Sequence, residues 1–203
     1  MKKIAWSGHA CALVVLLSLA AAVRAHATGL LFDKQEYDAR RARLMEAIPD
    51  GAAVILGAQP VTGFNPYFQN NDFMYFSGVE IPSAVLVIDG KRKQSTLLFT
   101  MGEREARGEG LSADLVTNTR AVTGVEQVLP ADQLSGYLAR LAGQGYVLYT
   151  SFKPEELMRE VSSEKLATLT SNMTLNLWDG RLPRELQFVK LLRERLPSVD
   201  VKD

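Results

Sequence analysis

Two apolar, β-branched-rich runs, residues 84–88 (AVLVI) and residues 96–100 (TLLFT), stand either side of Asp89-Gly90 and the basic turn Lys91, Arg92 and Lys93. An Asp-Gly pair between two such runs is a strong short-range hairpin signal, because those residues tolerate the positive φ angles that a tight reversal needs. Residues 84–100 therefore read as an antiparallel hairpin. Residues 52–56 (AAVIL) are continuously apolar, as a strand buried on both faces is, and residues 146–149 (YVLY) are another strand. Between them lie helical patterns. Residues 33–48 place Tyr37, Leu44 and Ile48 at helical spacing, with Arg40, Arg41 and Arg43 expected on the wetter sides, and Pro49-Asp50-Gly51 stops the helix. Residues 112–122 read as one short helix, 134–141 as an amphipathic helix, 154–160 as a helix opened by Pro154 and Glu155, and 185–196 as a last helix stopped by Pro197. The expected fold is α/β: a mixed β-sheet flanked by helices.

The N-terminus has a different character. Lys2 and Lys3 precede an apolar run over residues 12–23, which ends at Arg24 and is followed by Ala25-His26-Ala27. That order is the layout of a secretory signal peptide, residues 1–27, cleaved after Ala27. The run is shorter than the roughly 20 apolar residues of a spanning helix. The expected product is a secreted or periplasmic domain of residues 28–203, with no membrane partner after cleavage. Cleavage takes Cys11, His9 and His26, which are all the cysteine and histidine in the chain. It also removes Lys2, Lys3 and Arg24 from 23 basic residues and none of 23 acidic ones, leaving 176 residues with a net charge of −3. Such a domain has no disulfide, no thiol and no imidazole. Its slightly acidic balance, with scattered Lys and Arg, also argues against nucleic acid as a partner.

The remaining motifs are weak. Gly108-Glu109-Gly110 lacks a third glycine and no buried strand leads straight into it, so it reads as a turn rather than a phosphate loop. Glu103, Glu105, Glu109 and Asp114 are interleaved with Arg104 and Arg107, which suits a solvated, ion-paired face better than a pair of catalytic carboxylates. Ser151, Ser162 and Ser163 have no histidine to activate them, which leaves only a Ser-Lys arrangement with Lys153 or Lys165. Asn172 begins an N-x-[ST] sequon, relevant only in a host that glycosylates. Phe64, Tyr67, Phe68, Phe73, Tyr75 and Phe76 cluster around Asp72, with residues 73–77 read as an aromatic strand. Gln69-Asn70-Asn71-Asp72 then sits at a strand entry, from which Gln69, Asp72 and Tyr75 are candidates for contact with a cleft or partner.

Residues 69–88 (QNNDFMYFSGVEIPSAVLVI) closely resemble a stretch of the N-terminal domain of aminopeptidase P, the Xaa-Pro aminopeptidases of the creatinase and prolidase group. Gln69, Asp72, Phe73, Tyr75, Gly78 and Pro82 occupy the matching places. Phe32, Tyr37, Arg40, Arg41 and Leu44 resemble the family's opening helix, residues 49–57 its first strand, and Thr123-Gly124-Val125 the approach to a short strand. The order of these matches spans residues 32–203. One departure is Phe68, where the family usually has arginine.

The resemblance implies a domain that covers a catalytic cleft, often a neighbouring subunit's, and makes oligomer contacts. It implies a parent enzyme whose C-terminal "pita-bread" domain holds two divalent metal ions, commonly manganese, on two Asp, one His and two Glu. No such set can be drawn from a mature chain without histidine, so no catalytic and no metal-binding residue is expected in this chain and no cofactor is bound by it. Residues 199–203 fall about where the helix leading into the catalytic domain would begin. A domain parted from its neighbour should expose an apolar face, for which residues 188–196 are candidates. The alternatives are a stand-alone periplasmic binding module on the same scaffold, or a small Ser-Lys hydrolase.

Overall fold

A computed structural model describes residues 30–60, 67–153 and 182–203. Helix α1 (Lys34–Ala47) leads into strand β1 (Gly51–Leu56), helix α2 (Asn71–Ser77), and the hairpin of β2 (Val85–Asp89) and β3 (Gln94–Leu98). Three short helices follow, α3 (Glu103–Gly108), α4 (Ala113–Thr117) and α5 (Thr119–Thr123), and then β4 (Gln127–Leu129), α6 (Leu134–Gly143) and β5 (Val147–Tyr149). After residues outside the description come α7 (Arg184–Arg195) and β6 (Val201–Lys202).

Among the described residues six strands form one sheet in the order β4-β3-β2-β1-β5-β6. The hairpin pairs antiparallel, from Val85 with Leu98 to Asp89 with Gln94, and β2 also runs antiparallel to β1. By contrast β4 is parallel to β3, β5 to β1, and β6 to β5. The sheet is mixed, as expected. The Asp89 carboxylate accepts the Arg92 N–H at 2.8 Å and so closes the turn itself.

Alternation along the strands separates two cores. Ala53, Leu86, Ile88 and Leu97 face one side, where α1, α2 and α4 supply Met45, Phe73 and Leu115. Ala52, Val54, Val87 and Leu98 face the other, where α6 and α7 supply Leu138, Leu141, Val189 and Leu192. The result is a three-layer α/β/α domain. Among the described residues no helix is long and apolar enough to cross a membrane.

Three expectations need correction. Residues 73–77 are helical, not a strand. Phe73 and Ser77, four residues apart, share the buried face, while Asp72 and Tyr75 are exposed, which is a helical and not an alternating period. The Ser77 hydroxyl donates to the Phe73 carbonyl at 2.7 Å, and Gly78 ends the helix in the left-handed region at φ 71°.

Arg41 is not on a wet face: it is 2% exposed. Its guanidinium donates to the carbonyls of Phe76 and Thr123, each at 3.0 Å, and pairs with Asp38, so it ties α1 to the ends of α2 and α5. Arg40 is likewise largely covered, because its guanidinium lies between rings. Finally, residues 112–122 form two helices broken at Asn118 rather than one.

Residues 201–202 make the edge strand β6. The expected helix at 154–160, together with Ser162, Ser163, Lys165, Asn172 and the signal peptide, lies outside the described residues.

Candidate functional site

Strands β1, β5 and β6 are parallel neighbours, and the space beyond their carboxyl ends is where open α/β sheets commonly place ligands. A cleft of about 280 Å³ lies there. Ile55 and Leu56 come to it from the end of β1, and Thr150 and Ser151 from the segment after β5. Asn70 and Asp72 come from the start of α2, Glu185 from the start of α7, and Asp203 follows β6. Leu44, Phe76 and Tyr149 complete an apolar wall.

The run Gln69-Asn70-Asn71-Asp72 divides its roles. Gln69 is 5% exposed, and its amide is used entirely within the fold. The Gln69 Oε1 accepts the N–H of Ala58 at 2.6 Å and of Asn70 at 3.0 Å. Its Nε2 donates to the carbonyls of Val79 at 3.3 Å and Ile81 at 3.1 Å. It therefore pins the chain leaving β1 to the loop that follows α2.

Asn70, 3% exposed, is only half satisfied. Its Nδ2 donates to the Leu56 carbonyl at 3.0 Å, which fixes the amide's orientation, whereas its buried Oδ1 has no hydrogen-bond partner among the described residues. Asp72 is exposed and lines the cleft.

Tyr75, 48% exposed, stands elsewhere, with its ring 4.4 Å from the Arg40 guanidinium carbon. Phe32 stacks on the same guanidinium at 5.0 Å, and Arg40 donates to the Tyr75 carbonyl at 3.0 Å. Both rings are exposed, as is Leu31, the neighbour of Phe32 in the chain. Of the three residues singled out from the sequence, only Asp72 reaches the cleft; Gln69 lies behind it and Tyr75 stacks on Arg40. Glu185, Tyr149 and Asp203 carried no sequence signal as site residues. Glu185 is buried at a helix start opened by Pro183, a position the fold alone reveals.

The electrostatics are mild. Burial pushes the Arg41 guanidinium down from its ordinary value, while Asp38 and Glu126 pull it back. The Tyr149 phenol, which donates to Asp50 at 2.9 Å, is pushed up by that bond and then by burial. Among the described residues there is no histidine or cysteine, and no group of three or more His, Cys, Asp or Glu is placed to hold a metal ion. No metal-dependent step is assigned to the described residues.

Around α7, Val189 and Leu192 are buried in the second core. The open apolar surface beside them is a groove of about 440 Å³ that includes Phe152, Leu182 and Leu186. The face expected along residues 188–196 is thus mostly consumed internally, and the exposed apolar residue here, Leu182, precedes the helix.

Fold and cleft together define a three-layer mixed α/β domain with an acceptor-lined cleft at the carboxyl ends of parallel strands. The family described as aminopeptidase P, N-terminal domain, matches residues 37–149, more than half of the 203. This chain belongs to that family. It is 30% identical over 127 residues to the Xaa-Pro aminopeptidase of Escherichia coli K12, covering 57% of this chain and 28% of that protein. It is 27% identical over 158 residues to intermediate cleaving peptidase 55 of Saccharomyces cerevisiae, covering 70% of this chain and 30% of that one.

The chain thus spans under a third of the length of these relatives. Among solved structures it superposes on an aminopeptidase P from Bacillus anthracis with a TM-score of 0.58 at 18% identity, covering 84% of this chain and 38% of that one. For the low-pH form of E. coli aminopeptidase P the TM-score is 0.53 at 23% identity, covering 84% and 36%. At such identity these likenesses speak to the fold.

Proposed function

We propose that this chain is the non-catalytic N-terminal domain of an exported Xaa-Pro aminopeptidase. In this reading a C-terminal domain beyond residue 203 carries the metal-dependent chemistry. That chemistry releases an N-terminal residue preceding proline, with two divalent ions, taken to be manganese. The single observation that carries the reading is the family match over residues 37–149 joined to the coverage of only 28% and 30% of two full-length peptidase relatives. Export rests on the signal-peptide layout of residues 1–27.

The role of the domain is then positional. It docks on its own catalytic domain, and on a second copy in a homo-oligomer, narrowing access to the free end of short peptides. The exposed rings of Phe32 and Tyr75 on Arg40 and the apolar groove beside α7 are the surfaces suited to such docking.

The test is to read the coding DNA past the codon for Asp203, then assay the whole product on an Xaa-Pro peptide with manganese. An open frame encoding two Asp, one His and two Glu in family order, with manganese-dependent release of the first residue, supports the reading. A stop codon at that point refutes it and leaves a stand-alone binding module as the reading to pursue.

A further inference from the structure

We propose that the cleft at the carboxyl ends of β1, β5 and β6 binds a small organic cation, a primary ammonium on a short aliphatic stem. Asn70 is the anchoring observation. A buried amide oxygen with no partner costs about as much as a lost hydrogen bond. Here the Leu56 carbonyl holds Nδ2 so that the amide cannot turn round to relieve it. The position asks for a donor from outside the described fold.

The charges around it choose the sign of that donor. Among the described lining residues the acids Asp72, Glu185 and Asp203 outnumber the bases, of which there is one, Lys153. Among the described residues these carboxylates do not converge as the several oxygen ligands of a hard metal ion must. An ammonium has three N–H donors that point apart and suits acceptors spread over several elements.

The stem follows from the walls. Leu44, Ile55, Leu56 and Phe76 offer apolar surface beside the polar end. About 280 Å³ lies at the lower limit for ligand pockets and suits a ligand of a few heavy atoms. The inference does not depend on the peptidase reading, since every group it uses lies in this chain.

The experiment is a titration of the isotope-labelled chain with n-butylammonium chloride, followed by amide NMR, with sodium butyrate and 1-butanol at equal ionic strength as controls. The expected result is a saturable response centred on Asn70, Asp72, Thr150 and Ser151. Its dissociation constant should be roughly 1 mM, the range open to so small a ligand. Butyrate should give no such response, and butanol a weaker one.

Asn70→Ala should weaken binding about tenfold or more, as loss of a hydrogen bond to a charged group does. Asp72→Asn keeps size and lies on the surface, so it reads out the charge contribution even if the Asn70 variant folds poorly. It should weaken binding by a few-fold, and less so at high salt. No saturable response to butylammonium overturns the proposal. So does an equal response to butyrate, or binding that Asp72→Asn leaves unchanged at low salt.

Discussion

Replacing Gln69 should damage the fold rather than a binding event, and the size of the loss can be worked from its contacts. The side chain makes four hydrogen bonds to main-chain groups, two accepted and two donated, and is 5% exposed. Each such bond contributes about 1 kcal/mol net, and a buried partner left without one costs about 1–3 kcal/mol. Gln69→Ala leaves the N–H groups of Ala58 and Asn70 and the carbonyls of Val79 and Ile81 to share whatever water enters. A loss of about 3–5 kcal/mol is expected, a large part of the 5–15 kcal/mol of an ordinary domain.

Urea unfolding followed by far-UV circular dichroism measures this directly, as a fall in midpoint at unchanged slope. Gln69→Glu is the sharper variant. It keeps the acceptor but sets a carboxylate against the carbonyl oxygens of Val79 and Ile81, where only the protonated acid can donate. Its folded pKa is then raised above the unfolded value. The stabilisation is present at low pH and lost as pH rises past about 4 through the folded value. A Gln69→Ala variant within about 0.5 kcal/mol of the parent, or a pH-insensitive Gln69→Glu, would refute the clamp.

Arg41→Ala should cost about 3 kcal/mol in thermal unfolding, because two carbonyls and Asp38 lose a shared partner, and Arg41→Lys should not restore it, since one ammonium cannot reproduce the fork. Gly78→Ala should lower stability by more than about 1 kcal/mol by chemical denaturation, because φ is +71° and the new Cβ would strike the Tyr37 ring. Burial, then Asp89, raises the Tyr146 pKa, so the folded state keeps that proton after the unfolded chain releases it. The contribution is fully present below about pH 10 and is lost as pH rises through the folded value. Unfolding free energies measured across that range should fall, and fall less in Tyr146→Phe.

What could be read from the sequence was what local pattern encodes. The Asp89-Gly90 hairpin, the buried run of β1, and helices α1 and α7 each carry their apolar period and stop signal within a few residues. Arg41 could not be placed that way. Its covering groups are the carbonyls of Phe76 and Thr123, 35 and 82 positions away, and a charged side chain satisfied by distant main chain looks like any surface arginine. The cleft has the same difficulty, since Asn70, Glu185 and Asp203 meet only because β1, β5 and β6 lie side by side. Helix α2 was hidden by composition. Four aromatic or apolar residues in a row look like a strand, and its buried partner to Phe73 is Ser77, which no apolar period detects. The one local sign was Gly78, a glycine placed where a helix ends.

That misreading and the candidate site meet at residues 69–72. The chain arrives at Asn70 in extended conformation and turns into α2 at the next residue, so neighbouring side chains point in unrelated directions. Gln69 points inward and is consumed by the fold, Asn70 is held by Leu56 with one acceptor open, and Asp72 emerges on the cleft. Strand alternation would likewise part Gln69 from Asn70 and Asp72, so the split into structural clamp and cleft wall does not turn on the misread element. What the helix start changes is the burial of Phe73 and Ser77 behind them. Substitutions at position 69 should therefore be read out in stability and those at 72 in ligand response, and a pair of variants that exchanged those phenotypes would contradict the assignment of both.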